Sequence, residues 1–137
     1  MGKDSLTATD IAPRRLGGCR VLVVEGGEDS AACLTALLRL NGFDARATHS
    51  GKDALHDLVK LKPRAVLLDL DLPDMDACDV IRSIRAKKPA CAVIVLTAHT
   101  DLAHRTAAIS AGANDYILKP AEPVALVKAI MSHCGSA

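Results

Sequence analysis

Glu25, Asp69, Thr97 and Lys119 each stand where a run of apolar residues stops: after VLVV, after AVLL, at the end of AVIVLT and after YIL. If those runs are parallel strands, their carboxyl ends open onto one crevice, which is where open parallel sheets place their sites. Taken singly, each residue has a plain structural explanation. An acid after a strand often caps the next helix, threonine favours strands, and a lysine is usually solvated. All of them together, at the correct ends of their strands, point to shared chemistry. Two carboxylates at close quarters repel unless a cation or a proton lies between them. A hard divalent cation such as Mg²⁺ accepts oxygen ligands and keeps positions open for phosphate oxygens. A carboxylate can also be the nucleophile and form an aspartyl-phosphate. A lysine and a hydroxyl then supply charge and a hydrogen bond to the phosphoryl oxygens. The chemistry that fits is phosphoryl transfer onto an aspartate.

Strands must alternate with helices to bring these residues together, and the sequence reads that way. Residues 1–18, with Pro13, Gly17-Gly18 and no periodicity, read as a flexible leader or linker, and residues 19–137 as one domain. CRVLVV is a continuous apolar strand. From Glu28 to Leu40, apolar Ala32, Leu34, Leu37, Leu38 and Leu40 suit an amphipathic helix stopped at Asn41-Gly42. FDARAT is a shorter, more polar strand suited to a sheet edge. Ser50 caps a helix to about Leu61, with Ala54, Leu55, Leu58 and Leu61 on one face and Pro63 beyond it. RAVLLDL is the next strand, followed after Leu72-Pro73 by a helix carrying Val80, Ile81 and Ile84. CAVIVLT is the fourth strand and residues 101–111 a small-residue helix closed by Gly112. Residues 114–118 form the fifth strand, and residues 122–132 a last helix with Val124, Leu126, Val127 and Ile130 on its apolar side. The alternation describes an α/β domain: a five-stranded parallel sheet with helices on both faces.

Composition bounds the function. Half of the 137 residues are apolar, yet there is one Phe, one Tyr and no Trp, so the core must be aliphatic, as where helices pack on a parallel sheet. A net charge of +1 without interleaved aromatics argues against direct nucleic-acid binding. No apolar run approaches the roughly 20 residues needed to span a bilayer, and MGKDSLTATD lacks the apolar core of a secretion signal. Cysteines at 19, 33, 78, 91 and 134 show no CxxC spacing and are expected as buried free thiols of a cytoplasmic protein.

The segment VLLDLDLPDMDACDVIRSIR resembles the phospho-acceptor strand and loop of response regulator receiver domains, chemotaxis-regulator-like modules of two-component signalling, with their D-x-x-M/L-P-x-x-D-G pattern. VIVLTAH and NDYILKP match the family's threonine and lysine-proline motifs in order and spacing, and the similarity covers roughly residues 19–133. The resemblance implies a flavodoxin-like doubly wound sheet of order 2-1-3-4-5. It implies no stand-alone enzyme, only a protein that takes part in its own phosphoryl transfer and autodephosphorylation. By the same resemblance Asp69 is the phospho-acceptor, Thr97 the hydroxyl that moves toward the phosphoryl group, and Lys119 the phosphate-pairing lysine, with a cis Lys119–Pro120 bond. Tyr116 matches the aromatic switch position, Asp71 the position whose backbone carbonyl binds metal, and His99 a position that influences phosphate lifetime. The implied cofactor is Mg²⁺, with Mn²⁺ as a substitute, held by Glu25, Asp69 and the Asp71 carbonyl.

The departures from the family are informative. Its first strand ends in two acids, but here the pair is Glu25-Gly26, and Gly26 has no side chain to offer a metal. Weaker Mg²⁺ binding is expected, since Mg²⁺ tolerates poor geometry badly. Three rescues are conceivable: Asp71 turned inward, Glu28 or Asp29 folded back across Gly26-Gly27, or Glu25 acting alone. The plain reading of Glu28 and Asp29 is a helix first turn favoured by its dipole. Ala77 stands where the loop normally has glycine and is expected to stiffen or strain that turn. Ala121 stands where phenylalanine is common and trims the surface beside the last helix. Phosphorylation that is retained but impaired is the leading expectation. The alternative is a phosphorylation-independent pseudo-receiver acting as a protein-binding module. A hydrolase or nucleotide enzyme on the same sheet would need a phosphate loop or a catalytic dyad, and neither is found.

The histidines at 49, 56, 99, 104 and 133 show no zinc spacing; His99 and His104 would not share a helix face, and all read as surface residues. The resemblance places the donor histidine on a partner, a histidine kinase or a histidine phosphotransfer protein. It places the output partner, unidentified, at residues 101–132, with a homodimer through the same face as an option and no membrane contact. Whether the receiver stands alone or belongs to a hybrid kinase or larger regulator is left open.

Overall fold

Val21, Val23, Val66, Val93, Ile94 and Val95 supply the β-branched residues that favour extended backbone, and all are fully buried. The computed structural model describes residues 19–134, without the side chain of Cys134; the expected leader lies outside the described residues. Strands β1 (Arg20–Val24), β2 (Asp44–Thr48), β3 (Ala65–Leu68), β4 (Ala92–Thr97) and β5 (Asp115–Leu118) alternate with helices α1 (Glu28–Leu40), α2 (Gly51–Leu61), α3 (Ala77–Lys87), α4 (Leu102–Ala111) and α5 (Pro123–Cys134). Every pairing is parallel and the order is β2-β1-β3-β4-β5, the doubly wound arrangement that the resemblance implied.

Side chains alternate across a strand, so each strand feeds two layers. Leu22, Val24, Val66, Leu68, Val93 and Val95 meet Leu58 of α2, Ile81 of α3 and Ala108 of α4. Val21, Val23, Leu67, Ile94 and Leu96 meet Leu38 of α1 with Leu126 and Ile130 of α5, Phe43 being the aromatic member of that layer. Each fully buried aliphatic side chain contributes about 1.5–3 kcal/mol, so aliphatic packing on two faces holds the sheet rigid beneath its loops.

The helices start where the sequence supplies caps. Ser50 Oγ accepts the Asp53 N–H at 3.1 Å, Asp76 the Cys78 N–H at 2.8 Å, and Asp101 the His104 N–H at 3.1 Å. Gly112 closes α4 at φ 123°, a conformation that only glycine adopts freely. Among the described residues no helix is long and apolar enough to cross a membrane.

Four expectations need correction. The buried stripe of α1 is Ala31, Thr35 and Leu38, while Leu40 is 84% exposed. Leu40 lies two residues past Leu38, about 200° around the helix, and so faces solvent. Val124 stands in the same relation to Leu126 and is also exposed. Ala77 is not strained: it is the first residue of α3 beneath the Asp76 cap, and the positive-φ non-glycine residue among those described is Lys62. The cysteines are not all buried free thiols. Cys33 is exposed on the outer side of α1, Cys78 is half-buried, Cys91 is buried, and Cys19 is disulfide-bonded.

Candidate functional site

The hydrogen-bond ladder of the sheet runs on past the strand ends and fixes the residues that follow them. Glu25 N–H donates to Thr48 O at 3.0 Å, Asp69 N–H to Val24 O at 3.0 Å and Lys119 N–H to Thr97 O at 2.8 Å. Val24 is in register with Leu68, so Glu25 and Asp69 emerge side by side where the strand order reverses, the crevice expected of a doubly wound sheet. His49, at the end of the edge strand, places Nδ1 3.0 Å from Glu25 O and steadies the turn from the far side.

Lys119 spans both acids. Its Nζ donates to Glu25 Oε2 at 2.8 Å and to Asp69 Oδ2 at 2.9 Å, and both carboxylates are nearly buried. Burial alone works to raise the Asp69 pKa. The Lys119 ammonium and the Asp71 backbone N–H, which donates to Asp69 Oδ1 at 3.1 Å, outweigh it and hold the pKa below the ordinary value. Asp69 is therefore an anion at neutral pH. Burial likewise works to lower the Lys119 pKa, and hydrogen bonds to Glu25 and Asp69 raise it overall, so the ammonium keeps its charge. The Lys119–Pro120 peptide is cis.

Thr97 is completely buried, and its Oγ1 accepts the His99 N–H at 3.2 Å. Tyr116 packs against the α2–α4 layer, and its hydroxyl donates to His99 O at 2.9 Å. His99 is thus gripped at both backbone groups by the two residues that the resemblance marks as switches. Its imidazole Nε2 lies 2.8 Å from Asp71 Oδ1, and that carboxylate raises the His99 pKa.

These contacts place the acids of the conceivable rescues. The Asp71 side chain turns outward to His99 and not toward Asp69. Glu28 and Asp29 lie exposed in the first turn of α1. Glu25 is the acid that remains, with Oε1 receiving a long 3.3 Å contact from Gly27 N–H. A Cβ built on Gly26 would lie 3.5 Å from Asp71 O, so a side chain there would start beside that carbonyl.

Sequence reasoning missed two features. Asp74 reaches back from the β3–α3 loop and accepts the Gly51 and Lys52 N–H groups at 2.8 and 3.0 Å, capping α2. Asp74 is separated from its targets by a whole strand, so no local motif announces it. The second is a correction: the rings of His99 and His104 stack with centroids 4.1 Å apart, and Asp101 joins them. Helix periodicity did not apply, because His99 belongs to the loop before α4.

The family model for the response regulator receiver domain matches residues 21–131. This chain belongs to the receiver-domain family. As a receiver it is 39% identical over 120 residues to the transcriptional regulatory protein PrrA of Mycobacterium tuberculosis, covering 85% of this chain and 52% of PrrA. It is 41% identical over 108 residues to the DNA-binding response regulator MtrA of Mycolicibacterium smegmatis, covering 79% of this chain and 47% of MtrA. The receiver thus spans about half the length of the curated relatives it matches. Its fold is similar to the BeF3-activated N-terminal receiver domain of Klebsiella pneumoniae RstA, with TM-score 0.80, 26% identity, and 84% and 97% of the two chains covered. A response regulator receiver domain protein from Clostridium thermocellum gives TM-score 0.80 and 26% identity over 85% and 94% of the chains.

Receiver domains generally use Mg²⁺ for phosphorylation. Glu25, Asp69 and the Asp71 carbonyl, whose oxygen lies 3.5 Å from where a Gly26 Cβ would stand, are oxygen donors of the kind a hard cation takes and are the groups that would hold it. The set is one carboxylate short at Gly26, and Lys119 already neutralises part of its charge. Beside Lys119, a groove of about 660 Å³ lined by Leu34, Leu96, Ala121 and Leu126 lies where the small Ala121 trims the surface.

Proposed function

We propose that this receiver accepts a phosphoryl group on Asp69 from the phosphohistidine of a histidine kinase or a histidine phosphotransfer protein. The observation that carries the reading is an ionised Asp69 with Lys119 Nζ at 2.9 Å, at the head of a fixed strand. A carboxylate oxygen of Asp69 forms the bond to phosphorus, the donor's P–N bond breaks, and the departing imidazole nitrogen keeps the electron pair. Lys119 then pairs with phosphoryl oxygens in place of one of its carboxylate contacts. Glu25, Asp69 and the Asp71 carbonyl would hold Mg²⁺, which when bound offsets the charge of the phosphoryl oxygens.

The switch follows from the grip on His99. Once Thr97 Oγ1 turns to the phosphoryl group it releases the His99 N–H, and the Tyr116 bond to His99 O is free to rearrange with it. The change reaches residues 101–132, where Leu102 (75% exposed), Ile109 (44%), Leu118 (44%) and Val124 (66%) offer apolar area to an output partner or a second copy. The receiver domain is residues 19–137, and this domain acts in the cytoplasm by protein contact and not by its own direct contact with nucleic acid.

A second reading has its own observation. Lys119 already closes ion pairs with both acids, and Gly26 adds no further acid, so less uncompensated charge is left to hold a cation. That favours a pseudo-receiver that binds partners without phosphorylation. Intact mass after incubation with acetyl phosphate, with and without Mg²⁺ and beside Asp69→Ala, decides. A Mg²⁺-dependent gain of one phosphoryl group, absent in Asp69→Ala, supports the first reading. No gain in the wild type, with a gain in Gly26→Asp, supports the second.

A further inference from the structure

We propose that His99, Asp101 and His104 form a binding site for Zn²⁺ on the loop from β4 to α4. Each offers one ligand atom, and these atoms all lie within 4.8 Å of one another, in the group of this kind found among the described residues. Zn²⁺ holds nitrogen donors at about 2.0–2.1 Å, which sets them roughly 3.3 Å apart in a tetrahedral site. Rotation of the exposed Asp101 and His104 side chains and the half-buried His99 side chain would have to close that difference.

The cluster is held from several sides. The two imidazoles are neighbours, stacked at 4.1 Å with planes 10° apart, and one ring turns out of the stack for both to aim a nitrogen at one ion. Asp101 is fixed as the N-cap of α4 by the His104 N–H at 3.1 Å, and its carboxylate lies 2.7 Å from His104 Nδ1. His99 is fixed through its backbone by Thr97 Oγ1 and the Tyr116 hydroxyl, and its ring is oriented by Asp71 Oδ1 at 2.8 Å. A carboxylate that orients a ligating histidine is the usual support of such sites.

The donor chemistry selects the ion. Two imidazoles and one carboxylate suit a borderline cation such as Zn²⁺ and leave a fourth position for water. Mg²⁺ prefers oxygen alone, so this site is separate in kind from the Glu25–Asp69 crevice. An ion here would tie the segment after Thr97 to the first turn of α4. This inference does not require that Asp69 be phosphorylated.

Calorimetric titration of the full chain with ZnCl2 in a neutral, non-chelating buffer tests it. Wild type is compared with His104→Ala, His99→Ala, Cys33→Ser and Asp69→Asn. The expected result is one Zn²⁺ per chain in wild type, Cys33→Ser and Asp69→Asn. Each histidine variant should weaken binding by at least the roughly 10–100-fold that loss of an outer-shell partner costs. His104 is exposed, so its removal leaves the fold intact, and circular dichroism checks that. Absence of binding in wild type, equal affinity in wild type and His104→Ala, or loss of binding in Cys33→Ser or Asp69→Asn would each overturn the proposal.

Discussion

Lys119 Nζ lies 2.8 Å from Oε2 of Glu25, the acid that follows β1 just before Gly26. Glutamate carries one more methylene than aspartate, and here the extra reach ends on the lysine. The lysine is thereby shared between Glu25 and Asp69, the residue proposed to accept phosphate. Phosphorylation of Asp69 is expected to redistribute these bonds.

Glu25→Gln tests that sharing. The amide oxygen still accepts from Lys119, so stability in urea should change by less than about 1 kcal/mol. The missing charge should weaken Mg²⁺ by about tenfold, ~1.4 kcal/mol. The Mg²⁺ concentration for half-maximal phosphorylation by acetyl phosphate reads this; an unchanged value would remove Glu25 from the metal site.

Gly26→Asp is the opposite change. A Cβ there meets Asp71 O and Pro73 Cδ at 3.5 Å and His49 O at 3.9 Å, ordinary contacts. The variant should fold normally and bind Mg²⁺ about tenfold more tightly, ~1.4 kcal/mol. Calorimetry with MgCl2 checks it, and equal affinity would show that the second acid is dispensable here.

The parallel sheet and the positions of Glu25, Asp69, Thr97 and Lys119 were legible because strand runs and strand ends are local features of the sequence, while the strand order came only through the family resemblance. What was not legible depended on rotation or long range. Leu40 and Val124 looked like core by composition but lie about 200° from the buried stripe. Asp74 caps a helix across an intervening strand, and the His99–His104 stack joins a loop to a helix. The outward turn of Asp71 depends on that same loop.

Acid sensitivity follows from Asp44. Burial works to raise its pKa, but hydrogen bonds from Arg46 and Arg20, each at 2.9 Å, lower it overall from 3.8. A depressed native pKa means the contribution is complete above pH 3.8 and is lost as pH falls through the lower native value. Because the group is solvent-screened, it amounts to less than about 1 kcal/mol. Urea midpoints for wild type and Asp44→Asn should differ at neutral pH and converge in acid; a constant gap would refute the linkage.

The thiols should separate by reactivity. Burial pushes Cys91 up to about 11, and it is enclosed in the α2–α4 layer, so it should stay unmodified by a maleimide at neutral pH. Exposed Cys33 should react first. Peptide mapping after brief labelling reads the order, and early label on Cys91 would contradict the packing at the base of β4.

Arg85 should matter for stability and not for the crevice. Its guanidinium donates to Gly112 O, Pro89 O, Cys91 O and Asn114 Oδ1, with distances of 2.6 to 3.2 Å. Asn114 Oδ1 in turn accepts the Val93 N–H at 2.7 Å, so one side chain ties α3 to the starts of β4 and β5. Those starts lie at the opposite end of the sheet from Asp69. Arg85→Ala strands several acceptors at once and should cost about 2–3 kcal/mol. Lysine cannot restore the fork, because it lacks the planar set of donors, so Arg85→Lys should recover only part of the loss. Urea unfolding gives the cost, and acetyl phosphate labelling of folded Arg85→Ala should match wild type. A variant that unfolds normally but loses labelling would show that the two ends of the sheet are coupled.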